Sequence, residues 1–163
     1  MRALRFEAPN WLKKEFPFEV QGPIKIWADA LREGRLNLIS GFHKESVTFQ
    51  DSCNFVRNGG YYDDSRLIMK KIAYDFREMS PGGNYTYCCG MGGGNALMPE
   101  YKNKRLAAGK AKAESIAATG AKVVVVACHN CEDGIRDVIK HYGLDCRVEL
   151  FSNYLAEAVR IPE

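Results

Sequence analysis

The residues in this sequence best suited to chemistry are its six cysteines, and five of them fall in a pattern. Cys53 is followed after 34 residues by the adjacent pair Cys88-Cys89, and after 38 more by Cys128-His129-Asn130-Cys131. A Cys-x-x-Cys turn lets two sulfurs point at one metal, which is why it recurs in zinc and iron–sulfur sites. Read as a set, Cys53, Cys88, Cys89, Cys128 and Cys131 suit one metal–sulfur cluster. Zinc held by four of the five is the competing reading, since tetrahedral thiolate sites stabilise folds without doing redox chemistry. A thioredoxin-like use of Cys128 and Cys131 has the right strand-to-helix placement but leaves the other three without a role.

The elements that must position these sulfurs are read from apolar periodicity and turn signals. The stretch 1–45 reads as a helical lead-in: Asn10–Phe16 suits a short helix, and Pro23 suits the first position of a second, Ile24–Arg32, ended by Gly34. From Ser46 a strand, turn and helix repeat, so 46–163 is expected to be the cysteine-rich domain. Val47–Phe49 leads to Cys53, and Ser65–Phe76 follows as a helix with Leu67, Ile68, Ile72 and Phe76 inward. Tyr85–Tyr87 reads as a strand leading to Cys88-Cys89, and Glu100–Ala118 as a long helix closed by Gly120. Lys122–Ala127 is a β-branched run that suits a strand buried on both faces. It leads to Cys128 and to a helix from about Glu132 to His141, closed by Gly143. Arg147–Leu150 reads as the last strand, and Ser152 as the cap of a helix Asn153–Val159. The expected fold is therefore α/β, a mainly parallel sheet of βαβ units. Three of the four predicted strands run into the cysteines, which places the cluster site at the carboxyl edge of the sheet, where such folds bind ligands. Cys146 falls in a predicted strand, outside the set, and reads as a small apolar residue.

Bulk properties narrow the alternatives. A formal net charge of +3 over 163 residues, with acidic and basic residues interspersed, makes no case for nucleic acid or for an anionic membrane surface. The longest apolar run, Val123–Cys128, is far too short to span a bilayer, and the first residues lack the apolar stretch of a signal peptide. A cytoplasmic protein without direct membrane insertion is expected, and with it reduced thiols or metal ligands in place of disulfides.

The glycine run Gly90-Met91-Gly92-Gly93-Gly94 lacks the Lys-Ser/Thr ending of a nucleotide P-loop and the spacing of a dinucleotide fingerprint. One reading is a turn needing positive φ. The other, favoured beside two cysteines, is that Gly90, Gly92 and Gly93 let the backbone approach a cluster and donate hydrogen bonds to its sulfurs.

The pattern Cys-x34-Cys-Cys-Gly-x37-Cys-x2-Cys resembles the cysteine-rich CCG domain of heterodisulfide reductases and related redox subunits, over about residues 47–160. Val47-Thr-Phe-Gln-Asp-Ser-Cys53 and Cys88-Cys-Gly-Met-Gly-Gly-Gly94 share in the likeness. More narrowly, with the lead-in Phe6-Glu-Ala-Pro-Asn-Trp-Leu-Lys-Lys-Glu-Phe-Pro-Phe18, the chain is similar to the C-terminal part of the DsrK-type subunit of sulfur-metabolising microorganisms. The resemblance implies a [4Fe-4S] cluster of noncubane type on Cys53, Cys88, Cys89, Cys128 and Cys131, at which a disulfide is reduced or formed. Five cysteines agree with that, because an ordinary cubane takes four. The family has His and Pro where this chain has Gln50 and Ser52, neighbours of a ligand. The ferredoxin-like Cys-x-x-Cys-x-x-Cys runs of such subunits are missing, so the chain is expected to be a short homologue or a fragment. Its expected partners are another iron–sulfur domain or membrane-complex subunits, at the inner face of the membrane, and a small thiol/disulfide protein.

The remaining polar residues invite plainer readings. His129 suits a turn residue as well as a ligand or proton donor, and His43 and His141 are expected to be exposed. Lys102, Arg105 and Lys112 share one face of the long predicted helix, either a solvated face or a patch for docking an acidic partner.

Overall fold

Four parallel strands in the order β2-β1-β3-β4 form the centre of the molecule. They are β1 (His43–Gln50), β2 (Ala73–Phe76), β3 (Val123–Val126) and β4 (Arg147–Leu150) in a computed structural model that describes residues 3–161. Among the described residues seven α-helices accompany them: α1 (Ala8–Leu12), α2 (Pro23–Arg32), α3 (Tyr62–Ile72), α4 (Lys102–Ala108), α5 (Lys110–Thr119), α6 (His129–Tyr142) and α7 (Phe151–Glu157). The expected α/β class and parallel sheet are what the chain adopts.

Valine repetition explains the middle of the sheet. All four valines of β3 are fully buried, and their side chains alternate between two separate cores. Val123 and Val125 join Val47, Phe49, Ile68, Ile72 and Phe151 on the face covered by α2, α3 and α7. Val124 and Val126 join Ile116 and Ile135 on the face covered by α5 and α6. Each buried valine contributes about 2 kcal/mol relative to leaving it exposed, so a strand of this composition is stable only between two layers. Pro23 takes the first position of α2, and Gly120 and Gly143 end α5 and α6 in the left-handed conformation, as expected.

Four expectations need correction. The Ser65–Phe76 helix ends at Ile72, and Ala73–Phe76 is strand β2. Ile68, Ile72 and Phe76 lie at helical spacing, but the last of them belongs to the sheet, and Leu67 is exposed while Arg66 and Met69 are buried. Tyr85–Tyr87 is not a strand: a short helical turn, Gly83–Tyr85, leads into an extended segment. Its natural neighbour β1 is already flanked by β2 and β3. The Glu100–Ala118 helix is interrupted at Gly109, where an added Cβ would come within 3.3 Å of Val138 Cγ2 on α6. Finally, α1 and α7 begin two residues before their expected starts, so Ser152 lies inside α7 and does not cap it.

Candidate metal centre

The strand order fixes where the chain leaves a gap. From β1 the connection runs through α3 to β2 at one edge, and from β3 it runs through α6 to β4 at the other. The loops after β1 and β3 therefore part company at the carboxyl ends of two adjacent strands, with Gln50 opposite Val126. Open α/β sheets bind ligands in such a crevice. Cys53 opens a wide helical turn, Cys53–Arg57, three residues beyond Gln50 at the end of β1. Cys128 precedes the first residue of α6 with an extended backbone, and Cys131 stands in its first turn. The unpaired N–H groups and positive end of a 14-residue helix thus favour negative charge on these sulfurs.

Cys88 and Cys89 arrive on the crossover from β2 to β3, and side chains do the positioning that a strand was expected to do. Asp51 accepts a hydrogen bond from Gly83 N–H at 2.6 Å, Arg57 donates to Thr86 O at 2.7 Å, and Lys112 donates to Thr86 Oγ1 at 3.0 Å. Gln50 Nε2 adds a longer bond of 3.4 Å to Tyr87 O. Asp51 is itself fully buried in a bidentate pair with Arg66, which also grips Glu78. The residues just before Cys53 and those just before Cys88 are therefore cross-tied.

These elements bring four thiols into mutual interaction: Cys88 with Cys89 and Cys53, and Cys89 with Cys131. Cys89 and Cys131 are buried in one core, and Cys128 and Met91 pack against it. Gly90 has a positive φ of 83° and donates its N–H to Cys88 Sγ at 3.3 Å. Cys146 stands at the opposite end of the sheet, ahead of β4, in a hollow with Gly120, Lys122 and Gly143. Among the described residues no three His, Cys, Asp or Glu side chains gather closely enough around one point to hold a single metal ion. The sulfurs are carried on three separate segments, the turn after β1, the crossover from β2 to β3, and the start of α6. The hydroxyl of Ser52 is buried beside Cys53's loop without a hydrogen-bond partner and is free to donate to sulfur, whereas the unpaired amide oxygen of Gln50 can only accept. Cysteine thiols, the Gly90 N–H directed at sulfur and the Ser52 hydroxyl together fit an iron–sulfur group.

A family model for the cysteine-rich domain CCG matches residues 47–136. The chain belongs to that family. Among curated proteins it is 29% identical to the D subunit of the dihydromethanophenazine:CoB–CoM heterodisulfide reductase of Methanosarcina barkeri, over 97% of this chain and 38% of the subunit. It is also 29% identical to the probable iron–sulfur-binding oxidoreductase FadF of Bacillus subtilis, over 93% of this chain and 22% of that protein. The B subunit of the fumarate reductase (CoM/CoB) of Methanothermobacter marburgensis is 34% identical over 60% of this chain and 19% of that subunit. The chain thus spans about two fifths of the heterodisulfide reductase subunit, or less of the others. No solved structure matches it. The company of iron–sulfur proteins and oxidoreductase subunits supports an iron–sulfur redox role for the CCG region.

Contact with Cys89 and then burial hold the Cys88 thiol far above its ordinary range, against the pull of Gly90 N–H. Contact with Cys131 raises Cys89 to about 11. Burial lowers Lys112 to about 8, opposed by Asp51 and the thiols of Cys131, Cys89 and Cys88.

Gly92 and Gly93 border open space, and Gly90 is the one of the three glycines bonded to a cysteine sulfur. The expected shared helix face and the expected exposure of His43 need correction. Lys102, Arg105 and Lys112 do not share a solvated face: exposed Lys102 and half-buried Arg105 both reach Asp137, at 3.6 and 2.6 Å, while Lys112, beyond the break at Gly109, is 1% exposed. His43 is not exposed: its ring stacks on Tyr154 with centroids 3.5 Å apart. His129 is exposed and lies 3.4 Å from Glu132, and His141 is exposed as expected.

Sequence reasoning missed Asp51, Arg66, Lys112 and Gly134. Gly134 lies inside α6, where an added Cβ would meet Cys89 O at 2.6 Å. A glycine within an amphipathic helical pattern was the available signal. Nothing comparable marks Lys112, which sits among other lysines.

Proposed function

We propose that this chain is an iron–sulfur redox domain in which Cys53, Cys88, Cys89, Cys128 and Cys131 hold a noncubane [4Fe-4S] cluster. The substrate reading is a thiol/disulfide pair, in the dissimilatory sulfur metabolism of a heterodisulfide-reductase-like complex of DsrK type. The observation that carries it is the meeting of thiols from three separate loops where the strands part. When bound, the cluster supplies electrons one at a time. The chain's own residues hold it, shield it and leave one side accessible.

Cys89 and Cys131 form the buried wall, while Cys88 is exposed beside a hollow of about 210 Å³ with Tyr87, Asn95 and Arg105. The open space around Gly92 and Gly93 would leave room for an incoming sulfur near the cysteine pair. The start of α6 and Gly90 N–H stabilise negative charge left on sulfur. Electrons come from another iron–sulfur domain or subunit, and a small protein presenting its own cysteines would reach Cys88 without entering a deep pocket. The chain works in the cytoplasm, at the membrane only through its partners. Among the described residues no helix is long and apolar enough to cross one.

Anaerobic reconstitution with iron and sulfide tests the reading. Four irons per chain, broad visible absorption and an electron paramagnetic resonance signal that changes on adding thiol are expected. A colourless protein that takes up one zinc and no iron would establish instead a zinc-stabilised docking module.

A further inference from the structure

Lys112 is the one lysine whose whole side chain is sealed inside the protein beside the cysteines. It is 1% exposed, too deep for its ammonium to reach solvent along its own stem. Its Nζ has two partners, Thr86 Oγ1 at 3.0 Å and Met79 Sδ at 3.4 Å, and both are neutral. Among the described residues it makes no salt bridge. The one carboxylate whose charge it feels strongly, Asp51, is committed to Arg66 and to Gly83 N–H. The sulfurs of Cys88, Cys89 and Cys131 also act on its charge. With Cys88, Gly90 and Arg105 it also lines the 210 Å³ hollow. Arg105 is ion-paired with Asp137 through Nη2, although its Nη1 has no partner, so Lys112 is the cation on that wall without an ion pair.

A buried ammonium whose hydrogen-bond partners are all neutral is costly, and such groups persist where an opposite charge arrives. We infer that Lys112 is the built-in counter-charge of the cysteine-bound cluster, a positioning residue whose buried ammonium offsets thiolate charge and favours the reduced state. The inference rests on the cluster assignment made above. Each electron gained adds one negative charge, and an ammonium fixed close by in a low-dielectric wall stabilises the reduced form more than the oxidised one. Thr86 serves the same end. It sits two residues before Cys88 and accepts from Lys112, so the loop that carries the sulfurs also aims the ammonium.

The test compares K112M and K112Q, which remove the charge, with K112R, which keeps it. After anaerobic reconstitution, iron content and midpoint potential are measured by optical and paramagnetic resonance titration. With iron content unchanged, both neutral variants should shift the midpoint to more negative potential, and K112R should bring it back toward the wild-type value. A midpoint in K112M and K112Q equal to wild type overturns the inference, and so does a K112R midpoint indistinguishable from that of K112M. In the reduced, metal-free proteins, alkylation of Cys88 and Cys89 by iodoacetamide should slow several-fold in the neutral variants and recover in K112R. That second measurement separates the two ideas: a wild-type chain that takes up no iron defeats the cluster assignment, while equal alkylation rates defeat the role of Lys112.

Discussion

Gly134→Ala separates the needs of helix α6 from the needs of the site it faces. In an isolated helix the change gains about 1 kcal/mol, because alanine loses less backbone entropy than glycine. Here the new Cβ would stand 2.6 Å from Cys89 O and 2.8 Å from Met91 Cγ, where real Cβ contacts do not fall under 3.0 Å. Met91 can swing away, but the Cys89 carbonyl is part of the backbone that presents a sulfur, and it must retreat by about half an ångström. Overpacking of this kind costs about 1–3 kcal/mol, so the net effect on folding lies between neutral and about 2 kcal/mol unfavourable. The larger effect should fall on the cysteine pair, whose displacement from Cys131 lowers iron uptake. Guanidinium unfolding of the metal-free protein measures the first quantity, and iron per chain after anaerobic reconstitution measures the second. A variant that gains the full helical increment and loads iron like wild type would refute the close approach.

Cys128→Ser should abolish or sharply reduce iron uptake while Cys146→Ser leaves it intact, and equal losses would break the separation of the two ends of the sheet. Asp51→Asn leaves Arg66 buried with only Glu78, so urea unfolding should show a loss of about 3–5 kcal/mol, with poorer iron loading because the Cys53 and Cys88 loops lose their tie. An unchanged midpoint would remove Asp51 from the positioning scheme. Burial lowers Lys112 to about 8 from 10.5 in the metal-free protein, so its protonation works against folding below pH 8, and that burden lifts as the pH rises toward 10.5. K112M should therefore exceed wild type in stability by up to about 3 kcal/mol near pH 7 and lose the advantage by about pH 10.5; a pH-independent difference would contradict this. Cluster removal should lower the thermal midpoint and expose the 88–98 segment to protease while far-ultraviolet dichroism of the sheet persists, and an unaltered midpoint after verified iron loss would count against coupling of cluster and fold.

The parts of this fold that a reader can extract from the sequence are those where local pattern and tertiary burial agree. Val123–Val126 is apolar throughout because both of its faces are covered, and the glycines at 120 and 143 sit where left-handed caps are required. The placement of Cys53 and Cys128 near the sheet edge was legible for the same reason, since they lie three and two residues beyond the ends of β1 and β3. The failures share a cause as well. Tyr85–Tyr87 carries strand-forming residues with no vacant strand beside it, and side chains from Gln50, Asp51, Arg57 and Lys112 hold the segment instead. Ile68, Ile72 and Phe76 keep a helical spacing across a boundary set by pairing with β1, which is a long-range fact. Lys112 looked solvated because a lysine on a helix normally is, and only the break at Gly109 and the packing over Thr86 put it inside.

The two cores differ in what they contain, and that difference assigns them different work. The core beneath α2, α3 and α7 is built from Phe49, Ile68, Ile72, Phe151 and their neighbours, and it holds no cysteine. The core beneath α5 and α6 includes Cys89 and Cys131, with Cys128 and Met91 packed against it. Cysteines that are also core residues cannot shift without disturbing the helices that roof them. Gly134 on α6 and Lys112 on α5 approach those sulfurs from the two helices of that roof, one through a backbone contact and one through charge. A change in the charge of the site is therefore felt first by the α5–α6 layer, while the opposite layer keeps the strand ends, and with them the crevice, in place. Docking of a redox partner against α5 and α6 would act on the site through that layer, whereas docking against α2 and α3 would have to act through the sheet.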